Sequence, residues 1–293
     1  MAVERREDGS QISLWFFMRL RRYPMFLVHL LLGYGVVMLL VYLFQYRLLY
    51  FPDATPVEEV TRHARALGLK PWPRDAQDYR GLMVVNTPGA AVGTVLVFHG
   101  NAGSALDRKY YSDALEKLGY RVILVEYPGY GGRRGKLGEG SFVDDARDLV
   151  TLARDEFGDP IYVWGESLGC GVATAAAADP AMAVAGVILL TPWDTLGNTA
   201  QAHYWWLPAR WLTRDRYDNI RNLEGFAGSV AVIMADQDEV IPNRLTMKLY
   251  GALRTTKRLW VFPGAGHNSW PTAPERSWWA EVMGFVAERR DGS

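Results

Sequence analysis

The sequence predicts a mostly parallel α/β domain that follows one long apolar helix. Three observations carry this prediction. An uncharged apolar segment lies near the N-terminus, and beyond Pro52 short β-branched runs alternate with segments of helical periodicity. Gly and Pro mark the junctions, as in residues 128–132 and 262–266. Runs that are separated by helices are typical of a parallel sheet covered on both faces.

The predicted strands and helices follow one another over most of the chain. The apolar runs predicted as strands are Leu82–Asn86, Thr94–His99, Arg121–Tyr127, Ile161–Trp164, Gly186–Thr191, Val230–Ala235 and Arg258–Phe262. The segments predicted as helices are Ser104–Leu118, Ser141–Glu156, Leu168–Ala178, Arg244–Ala252 and Arg276–Arg289. The sequence shows neither an internal repeat nor a second domain boundary after Pro52, so we expect one domain over residues 52–293.

The apolar segment from Pro24 to Phe44 predicts a transmembrane anchor that follows a basic segment at residues 1–23. A helix of this length spans roughly 31 Å, close to the bilayer's hydrocarbon core of about 30 Å. The core helix of a soluble protein rarely runs this long without a charge. A cleaved signal peptide has an apolar core of only about 7–15 residues, and a small-x-small cleavage site is missing after Phe44.

The charges on either side of this segment predict its orientation. Several arginines precede the segment, whereas Arg47 is the single arginine between Phe44 and Arg62. An excess of positive charge marks the cytoplasmic side, so we expect residues 52–293 on the extracytoplasmic side, in a periplasm or lumen. The preceding arginines are Arg5, Arg6, Arg19, Arg21 and Arg22. The residues expected to form an aromatic belt at the far interface are Tyr42, Tyr46, Tyr50 and Phe51.

Composition and charge exclude several classes of protein. The 293 residues are 49% hydrophobic and 22% charged, which is too apolar for a disordered chain. The 32 Lys and Arg balance the 32 Asp and Glu, so the chain lacks the positive field that gathers nucleic acid. One cysteine, Cys170, excludes an internal disulfide framework and a multi-cysteine metal site.

The pentapeptide Gly165–Gly169, GESLG, predicts a nucleophilic serine at position 167. It lies between an apolar strand and an Ala-rich helix, where a sharp turn exposes the serine hydroxyl at the strand's carboxyl end. Gly165 and Gly169 remove side chains that would collide in such a turn, and Gly171 lets the helix lie close to the sheet. The alternative is a purely structural Gly-Ser turn.

A catalytic serine needs a base, and His267 is the candidate among the five histidines. It follows the last predicted strand in the sequence GAGHNSW, on a loop able to reach Ser167. Asp238 is our first choice for the carboxylate that orients His267, while Asp236 and Asp194 remain alternatives. The order Ser167, Asp238, His267 is that of the hydrolases with a nucleophile elbow. The other histidines are His29, His63, His99 and His203.

Two backbone N–H groups are predicted to form an oxyanion hole. One belongs to Leu168, the residue after the nucleophile, and the other to Asn101 in the Gly-rich loop after the strand Thr94–His99. His99 is expected to hold that loop by hydrogen bonds. The alternative, a phosphate-binding loop, lacks the P-loop Lys-Ser/Thr and the G-x-G-x-x-G spacing.

Residues 192–224 break the alternation of strands and helices and are rich in tryptophan. An aromatic insertion between two strands predicts a short lid over a substrate pocket. The alternative is that these side chains only pack the insertion onto the sheet edge. The tryptophans are Trp193, Trp205, Trp206 and Trp211.

Five motifs resemble the α/β-hydrolase superfamily, and within it the membrane-anchored serine hydrolases that include lysophospholipid and monoacylglycerol lipases and protein depalmitoylases. The motifs are FHGNAG (98–103), EYPGYGG (126–132), GESLG (165–169), DEVIP (238–242) and GAGHN (264–268). The segment from TPWDTL to RYDNI is similar to that group's short cap. Glu126 stands where relatives often have Asp.

This resemblance covers about residues 82–286 and implies an α/β-hydrolase fold with a Ser167–Asp238–His267 triad. It also implies that Asn101 and Leu168 supply the oxyanion hole. Substrate identity does not transfer, because members of the group differ in it.

We therefore expect a tethered hydrolase of carboxylic esters or thioesters, with the lipid bilayer and acyl substrates as partners. Neither a metal nor an organic cofactor is implied, and nucleic acid is not expected as a partner. The competing hypotheses are a peptidase or amidase with the same triad and a noncatalytic membrane-anchored binding module. The sequence predicts neither the acyl-chain length, the head group nor the oligomeric state.

Overall fold

A computed structural model describes residues 10–53, 55–74, 78–85 and 91–288 of the chain. The chain divides into two compact units, one ending at Gln45 and the other beginning at Tyr46. The predicted basic segment 1–23 lies partly outside the described residues. The predicted boundaries of this segment, the anchor and the domain stay predictions.

The first helix, α1, runs without a break from Ser10 to Leu49. Its part from Met25 to Leu49 is long and apolar enough to cross a membrane, with a mean hydropathy of 2.3. Leu31 and its large apolar neighbours along this part are exposed. The helix α1 therefore contains the whole segment predicted as the anchor and extends beyond Phe44.

The predicted aromatic belt is wrong for Tyr50. The helix α1 ends at Leu49, and Tyr50 follows it directly. Its side chain is buried in the second unit and is only 2% exposed. There it belongs to the hydrophobic core together with Phe142 and Tyr127. Tyr42, by contrast, is exposed.

The second unit is built on an eight-stranded sheet with the strand order β10-β9-β8-β7-β4-β6-β3-β2. The two pairings of β3, with β2 and with β6, are antiparallel, and the others are parallel. The strands of this sheet are β2 Leu69–Pro73, β3 Tyr79–Val84, β4 Thr94–Phe98, β6 Arg121–Val125, β7 Ile161–Glu166, β8 Val184–Leu190, β9 Ser229–Ala235 and β10 Lys257–Phe262. Two short strands, β1 Phe51–Pro52 and β5 Ala102–Gly103, pair in parallel with each other.

The helices cover both faces of the sheet. Those after α1 are α2 Val57–Ala66, α3 Lys109–Leu115, α4 Glu139–Phe157, α5 Leu168–Ala177, α6 Leu196–His203, α7 Ala209–Leu212, α8 Asn219–Asn222, α9 Asn243–Ala252 and α10 Trp278–Ala287. One hydrophobic cluster joins the sheet to α4, α5 and α9, and another joins it to α2, α3 and α10. Side chains from one strand alternate between the clusters, as Phe98 and Val97 do in β4. The predicted parallel sheet with two covered faces is confirmed.

The antiparallel edge strand β2 was not predicted from the sequence. Its residues, LKPWP, contain two prolines and lack β-branched side chains, which is unlike a strand in the interior of a sheet. Proline is tolerated at a sheet edge, where one row of N–H groups needs no partner. Burial of Leu69 and Trp72 against the sheet fixes this edge strand in place.

The insertion at residues 192–224 is described throughout and folds as α6, α7 and α8. Its extended pairing is an isolated antiparallel bridge between Thr195 and Asp218. These residues therefore contribute helices and one bridge rather than a strand of the sheet, and their role as a lid stays a prediction.

Candidate active site

Ser167 lies at the turn between β7 and α5, in a strained backbone conformation. Its φ of 52° and ψ of −114° are unusual for a residue with a side chain, which costs on the order of 1–3 kcal/mol. A Cβ on Gly169 would lie 2.0 Å from the carbonyl oxygen of Phe98, and one on Gly165 would lie 2.5 Å from Cys170. Backbone atoms block both positions, so the turn requires glycine there.

Gly171 serves a different contact from the one expected. A Cβ there would lie 2.4 Å from Cδ1 of Tyr217, in the segment between α7 and α8. The missing side chain therefore makes room for the insertion rather than for the sheet. Tyr217 itself is fully buried and has a positive φ of 37°.

The three predicted side chains meet in one hydrogen-bonded chain. His267 Nε2 lies 3.0 Å from Ser167 Oγ, and His267 Nδ1 lies 3.0 Å and 2.9 Å from the two carboxylate oxygens of Asp238. Ser167 and His267 come from loops at the carboxyl ends of β7 and β10, and Asp238 from the loop after β9. Parallel strands bring these loops together because their carboxyl ends meet at one edge of the sheet.

Further hydrogen bonds orient the Asp238 carboxylate. The backbone N–H groups of Val240 and Ile241 donate to its Oδ1 at 2.9 Å and 2.7 Å. The other two candidates lie elsewhere. The Asp236 side chain is exposed, and Asp194 is buried, where its carboxylate pairs with Lys248 at 2.6 Å.

Glu239 holds the backbone of the histidine loop, a contact that the sequence did not predict. Its Oε2 accepts a hydrogen bond from the His267 N–H at 3.0 Å. That bond lowers the pKa of Glu239. A Cβ at Gly266 would lie 2.7 Å from this Oε2, so a side chain there would require the Glu239 carboxylate to shift.

The loop after β4 lies beside the serine. A Cβ on Gly100 would be 3.7 Å from Ser167 Cβ. His99 Nδ1 lies 2.8 Å from the Gly100 carbonyl oxygen. Because the C=O and N–H of a trans peptide point in opposite directions, the Asn101 N–H points away from the His99 ring. Leu168 begins α5, so its N–H belongs to the first turn of a helix, which has no acceptor within the helix.

His99 is buried and holds this loop, as predicted. Its Nε2 lies 3.0 Å from Glu126 Oε1, and the Tyr127 hydroxyl donates to its backbone carbonyl at 2.7 Å. Glu126 Oε2 in turn accepts hydrogen bonds from the Tyr79 hydroxyl and the Ala105 N–H, both at 3.0 Å. The network links three segments of the second unit beneath the loop.

Glu166, next to the nucleophile, is the centre of a second buried network. Its carboxylate accepts hydrogen bonds from Arg108 at 2.9 Å, Tyr110 at 2.9 Å and Tyr111 at 3.0 Å. Burial opposes ionisation of Glu166, but the Arg108 guanidinium and these hydrogen bonds outweigh it and lower the pKa of the carboxyl. The sequence signal for this network is Glu166 itself, a charged residue at the end of the otherwise apolar strand β7, IYVWGE.

Cys170 is buried directly behind the turn and donates to the carbonyl oxygens of Gly165 and Leu190 at 3.2 Å and 3.3 Å. Burial raises the pKa of its thiol well above the ordinary value, so it is not poised as a nucleophile. Over the described ranges, His, Cys, Asp and Glu side chains do not form a group of three suited to a metal ion.

The four tryptophans of the insertion have two different environments. Trp193 is buried in the core, whereas Trp205 and Trp211 are 81% and 74% exposed. Trp206 is also exposed. The outer surface of the insertion is therefore aromatic, while Trp193 joins the insertion to the domain.

Comparison with known proteins matches this fold. The sequence profile of the family described as alpha/beta hydrolase fold matches residues 93–232. The uncharacterized protein Rv2307c of Mycobacterium tuberculosis is 34% identical over 254 residues, which cover 85% of this chain and 89% of that protein. The chain belongs to the α/β-hydrolase superfamily.

This α/β-hydrolase is also similar to enzymes that act on esters. It is 27% identical over 291 residues to the lysophosphatidylserine lipase ABHD12 of Mus musculus, with 84% of this chain and 72% of that protein covered. Among solved structures, the Pyrococcus furiosus esterase Pf2001 superposes with a TM-score of 0.57 at 19% identity, over 70% of this chain and 84% of that one. The structural match supports the fold.

Proposed function

We propose that this α/β-hydrolase is a membrane-anchored serine hydrolase that cleaves carboxylic esters or thioesters. The observation that carries the proposal is the continuous hydrogen-bonded chain from Ser167 Oγ through His267 to Asp238. A serine, an imidazole and a carboxylate in this order are the groups that activate a hydroxyl for acyl transfer. The lipase among the similar proteins supports the same reaction class.

In the proposed mechanism, Ser167 Oγ attacks the acyl carbon of the substrate while His267 Nε2 takes the hydroxyl proton. Asp238 holds the imidazole with its proton on Nδ1, so that Nε2 presents a lone pair to the serine. The imidazolium then gives its proton to the departing alcohol or thiol, leaving an acyl-enzyme. Water attacks that ester by the same route and releases the acid.

The negative oxygen of each tetrahedral intermediate needs donors that are already in place. We assign this role to the N–H groups of Asn101 and Leu168. The close approach of Gly100 to Ser167 supports the first, and the position of Leu168 at the start of α5 supports the second. The helix dipole adds favourable positive potential at the same point.

Lipid-like acyl substrates fit the proposal best: lysophospholipids, monoacylglycerols or acylated proteins. The exposed aromatic surface formed by Trp205, Trp206 and Trp211 supports this, because aromatic side chains favour a membrane interface. We assign the insertion the role of a lid. The activity in the name of the ABHD12 relative is consistent with such substrates.

We propose that α1 crosses the membrane once, with the N-terminus in the cytoplasm and the hydrolase unit outside it. A topology test can use the single native cysteine, since Cys170 is buried and slow to react. Asp155→Cys adds a thiol at an exposed position of α4. In sealed right-side-out vesicles, a membrane-impermeant maleimide should label this variant and spare the wild type. Labelling only after the vesicles are opened would reverse the proposed orientation.

The nucleophile is tested with a fluorophosphonate probe and a panel of ester, thioester and lysophospholipid substrates on the full-length protein in detergent. The wild type should be labelled by the probe and should hydrolyse at least one of the substrates, whereas Ser167→Ala should be neither labelled nor active. Ser141→Ala, in α4, is the matched control and should behave as wild type. A folded wild type that neither labels nor hydrolyses would support a noncatalytic binding protein. Residual ester hydrolysis by Ser167→Ala would refute the assignment of the nucleophile.

A further inference from the structure

The chain that leaves α1 lies against the loop that carries Asn101. The Asn101 side-chain Nδ2 donates a hydrogen bond to the Leu49 carbonyl oxygen at 2.8 Å. The Phe51 N–H donates to the Asn101 carbonyl oxygen at 2.9 Å. The two-residue strands β1 and β5 continue this contact in parallel. Residues 49–52, which we name the exit segment, therefore hold both the side chain and the main chain of Asn101.

The exit segment is itself fixed within the second unit. The Tyr46 hydroxyl, one turn earlier, donates to Asp215 Oδ1 at 3.2 Å, and the buried Tyr50 hydroxyl makes a short hydrogen bond with Asp215 Oδ2. Tyr50 Oη also lies 3.1 Å from Tyr217 Oη. These contacts make residues 46–52 part of the folded unit, unlike a flexible linker between an anchor and a catalytic domain.

The contacts restrain the peptide whose N–H would stabilise the oxyanion. On one side of that N–H, His99 Nδ1 holds the Gly100 carbonyl oxygen. On the other side, the Asn101 carbonyl oxygen accepts from the Phe51 N–H and also from the Tyr130 hydroxyl, at 2.8 Å. Donors in an oxyanion hole act at about 2.7–3.1 Å, so a shift of the loop by a fraction of an ångström weakens transition-state stabilisation.

We propose that Leu49 and Phe51 are positioning residues of the oxyanion hole, so that the exit segment at the start of the second unit completes the active site. This inference rests on the proposed function, because it takes the Asn101 N–H as an oxyanion donor. The exit segment then has two roles: it connects the catalytic unit to the preceding helix, and it sets the geometry of the loop beside Ser167. An enzyme from which the exit segment was removed would keep its triad and lose rate.

The test removes one N–H and nothing else that is buried. Phe51→Pro deletes the N–H that donates to Asn101, while Phe51→Ala keeps it. Both variants lose the same side chain, which is more than half exposed in the wild type. For the full-length protein in detergent, with p-nitrophenyl butyrate as substrate, Phe51→Ala is the reference for loss of the side chain alone. Ser141→Ala, in α4, should keep kcat and KM within about twofold of wild type. Phe51→Pro should lower kcat about tenfold or more at an unchanged KM.

The affinity for a trifluoromethyl ketone is a second measurement, and it would not change if the exit segment had only a structural role. The ketone forms a tetrahedral adduct with the serine and places an oxyanion in the hole, so its affinity should fall in parallel with kcat for Phe51→Pro. Asn101→Ala is the second variant. It keeps the backbone N–H and the bond from Phe51 but loses the bond to Leu49, and it decides the question if Phe51→Pro does not fold. It should lower kcat roughly five- to tenfold.

Each result separates this inference from the proposed function. If the wild type is active and both variants keep kcat within twofold, the exit segment does not position the loop. A fall in kcat without a fall in affinity for the ketone also overturns the inference. If the wild type hydrolyses none of the esters, the proposed function and this inference fall together.

Discussion

Replacing Asp238 by asparagine tests the proposed triad through the tautomer of His267. In the wild type, Asp238 Oδ1 accepts from Val240 and Ile241, and both of its oxygens face His267 Nδ1. In Asp238→Asn, one of these oxygens becomes an NH₂ group that can only donate. The backbone N–H groups of Val240 and Ile241 keep the remaining carbonyl oxygen at the Oδ1 position. The reverse orientation would lose both hydrogen bonds and place the NH₂ donor against two N–H donors.

The amide nitrogen is therefore held at the Oδ2 position, 2.9 Å from His267 Nδ1 in the wild-type arrangement. The NH₂ group favours Nδ1 as a hydrogen-bond acceptor, because the carbonyl oxygen at the Oδ1 position, 3.0 Å from Nδ1, already accepts from two backbone N–H groups. The imidazole proton then lies on Nε2 and points at Ser167 Oγ. An Nε2–H cannot take the serine proton. We expect kcat to fall by about 10³–10⁴, which corresponds to roughly 4–5.5 kcal/mol of transition-state stabilisation.

Asp236→Asn is the matched control. The Asp236 side chain is exposed, and the contacts that this residue makes through its backbone, to Phe262 and Asn243, survive the change. Its kcat should stay within about twofold of wild type. The assay is the initial rate of p-nitrophenyl butyrate hydrolysis at saturating substrate, with melting temperatures to establish that each variant folds. Loss of less than tenfold for Asp238→Asn, or a larger loss for Asp236→Asn, would refute the assignment.

Three further predictions concern packing, pH and the lid. Gly169→Ala should lose about 3 kcal/mol of stability or more, because its Cβ meets the Phe98 carbonyl oxygen at 2.0 Å. Gly140→Ala, with open space around it, should change stability by less than about 1 kcal/mol in the same urea unfolding experiment. Burial, together with a neighbouring carboxylate, raises the pKa of Glu116 to about 7, so the folded state binds a proton that the unfolded chain releases, and stability falls as pH rises from about 4.5 to 7. Glu116→Gln should therefore be more stable than wild type at pH 8, by about 1 kcal/mol after allowance for partial exposure, but not at pH 4.5; equal gains at both pH values would contradict this. Trp205→Ser should leave the melting temperature unchanged and lower the rate on a micellar lysophospholipid several-fold more than on p-nitrophenyl butyrate; equal effects on both substrates would remove Trp205 from the lid.

Local signals carried the prediction of the nucleophile turn. Gly165 and Gly169 sit at fixed offsets from Ser167, and the clashes that exclude other residues involve chain that the turn itself or the adjacent strand brings near. Strand and helix periodicity depends on the same short range, which is why the predicted runs match the observed strands closely. The edge strand β2 escaped because its burial comes from distant residues rather than from its own pattern.

Choice among similar residues needed the tertiary structure. Three aspartates follow strands at the same edge of the sheet: Asp194, Asp236 and Asp238. The sequence favoured Asp238 but left the other two as alternatives. The loop after β9 turns so that the backbone N–H groups of Val240 and Ile241 aim Asp238 at His267, while Asp194 is paired with Lys248.

The sequence by itself determined the superfamily, the order of the proposed catalytic groups and the presence of one helix long enough to span a membrane. Each of these follows from residue type and spacing along the chain. Only the tertiary structure decided that Tyr50 leaves the helix into a protein core, that Gly171 accommodates Tyr217, and that Leu49 and Phe51 bond to Asn101. The physical reason is that these contacts join residues far apart in the chain, up to 165 positions for Tyr50 and Asp215. The backbone groups among them, the Leu49 carbonyl and the Phe51 N–H, are also the same whatever side chain the residue carries.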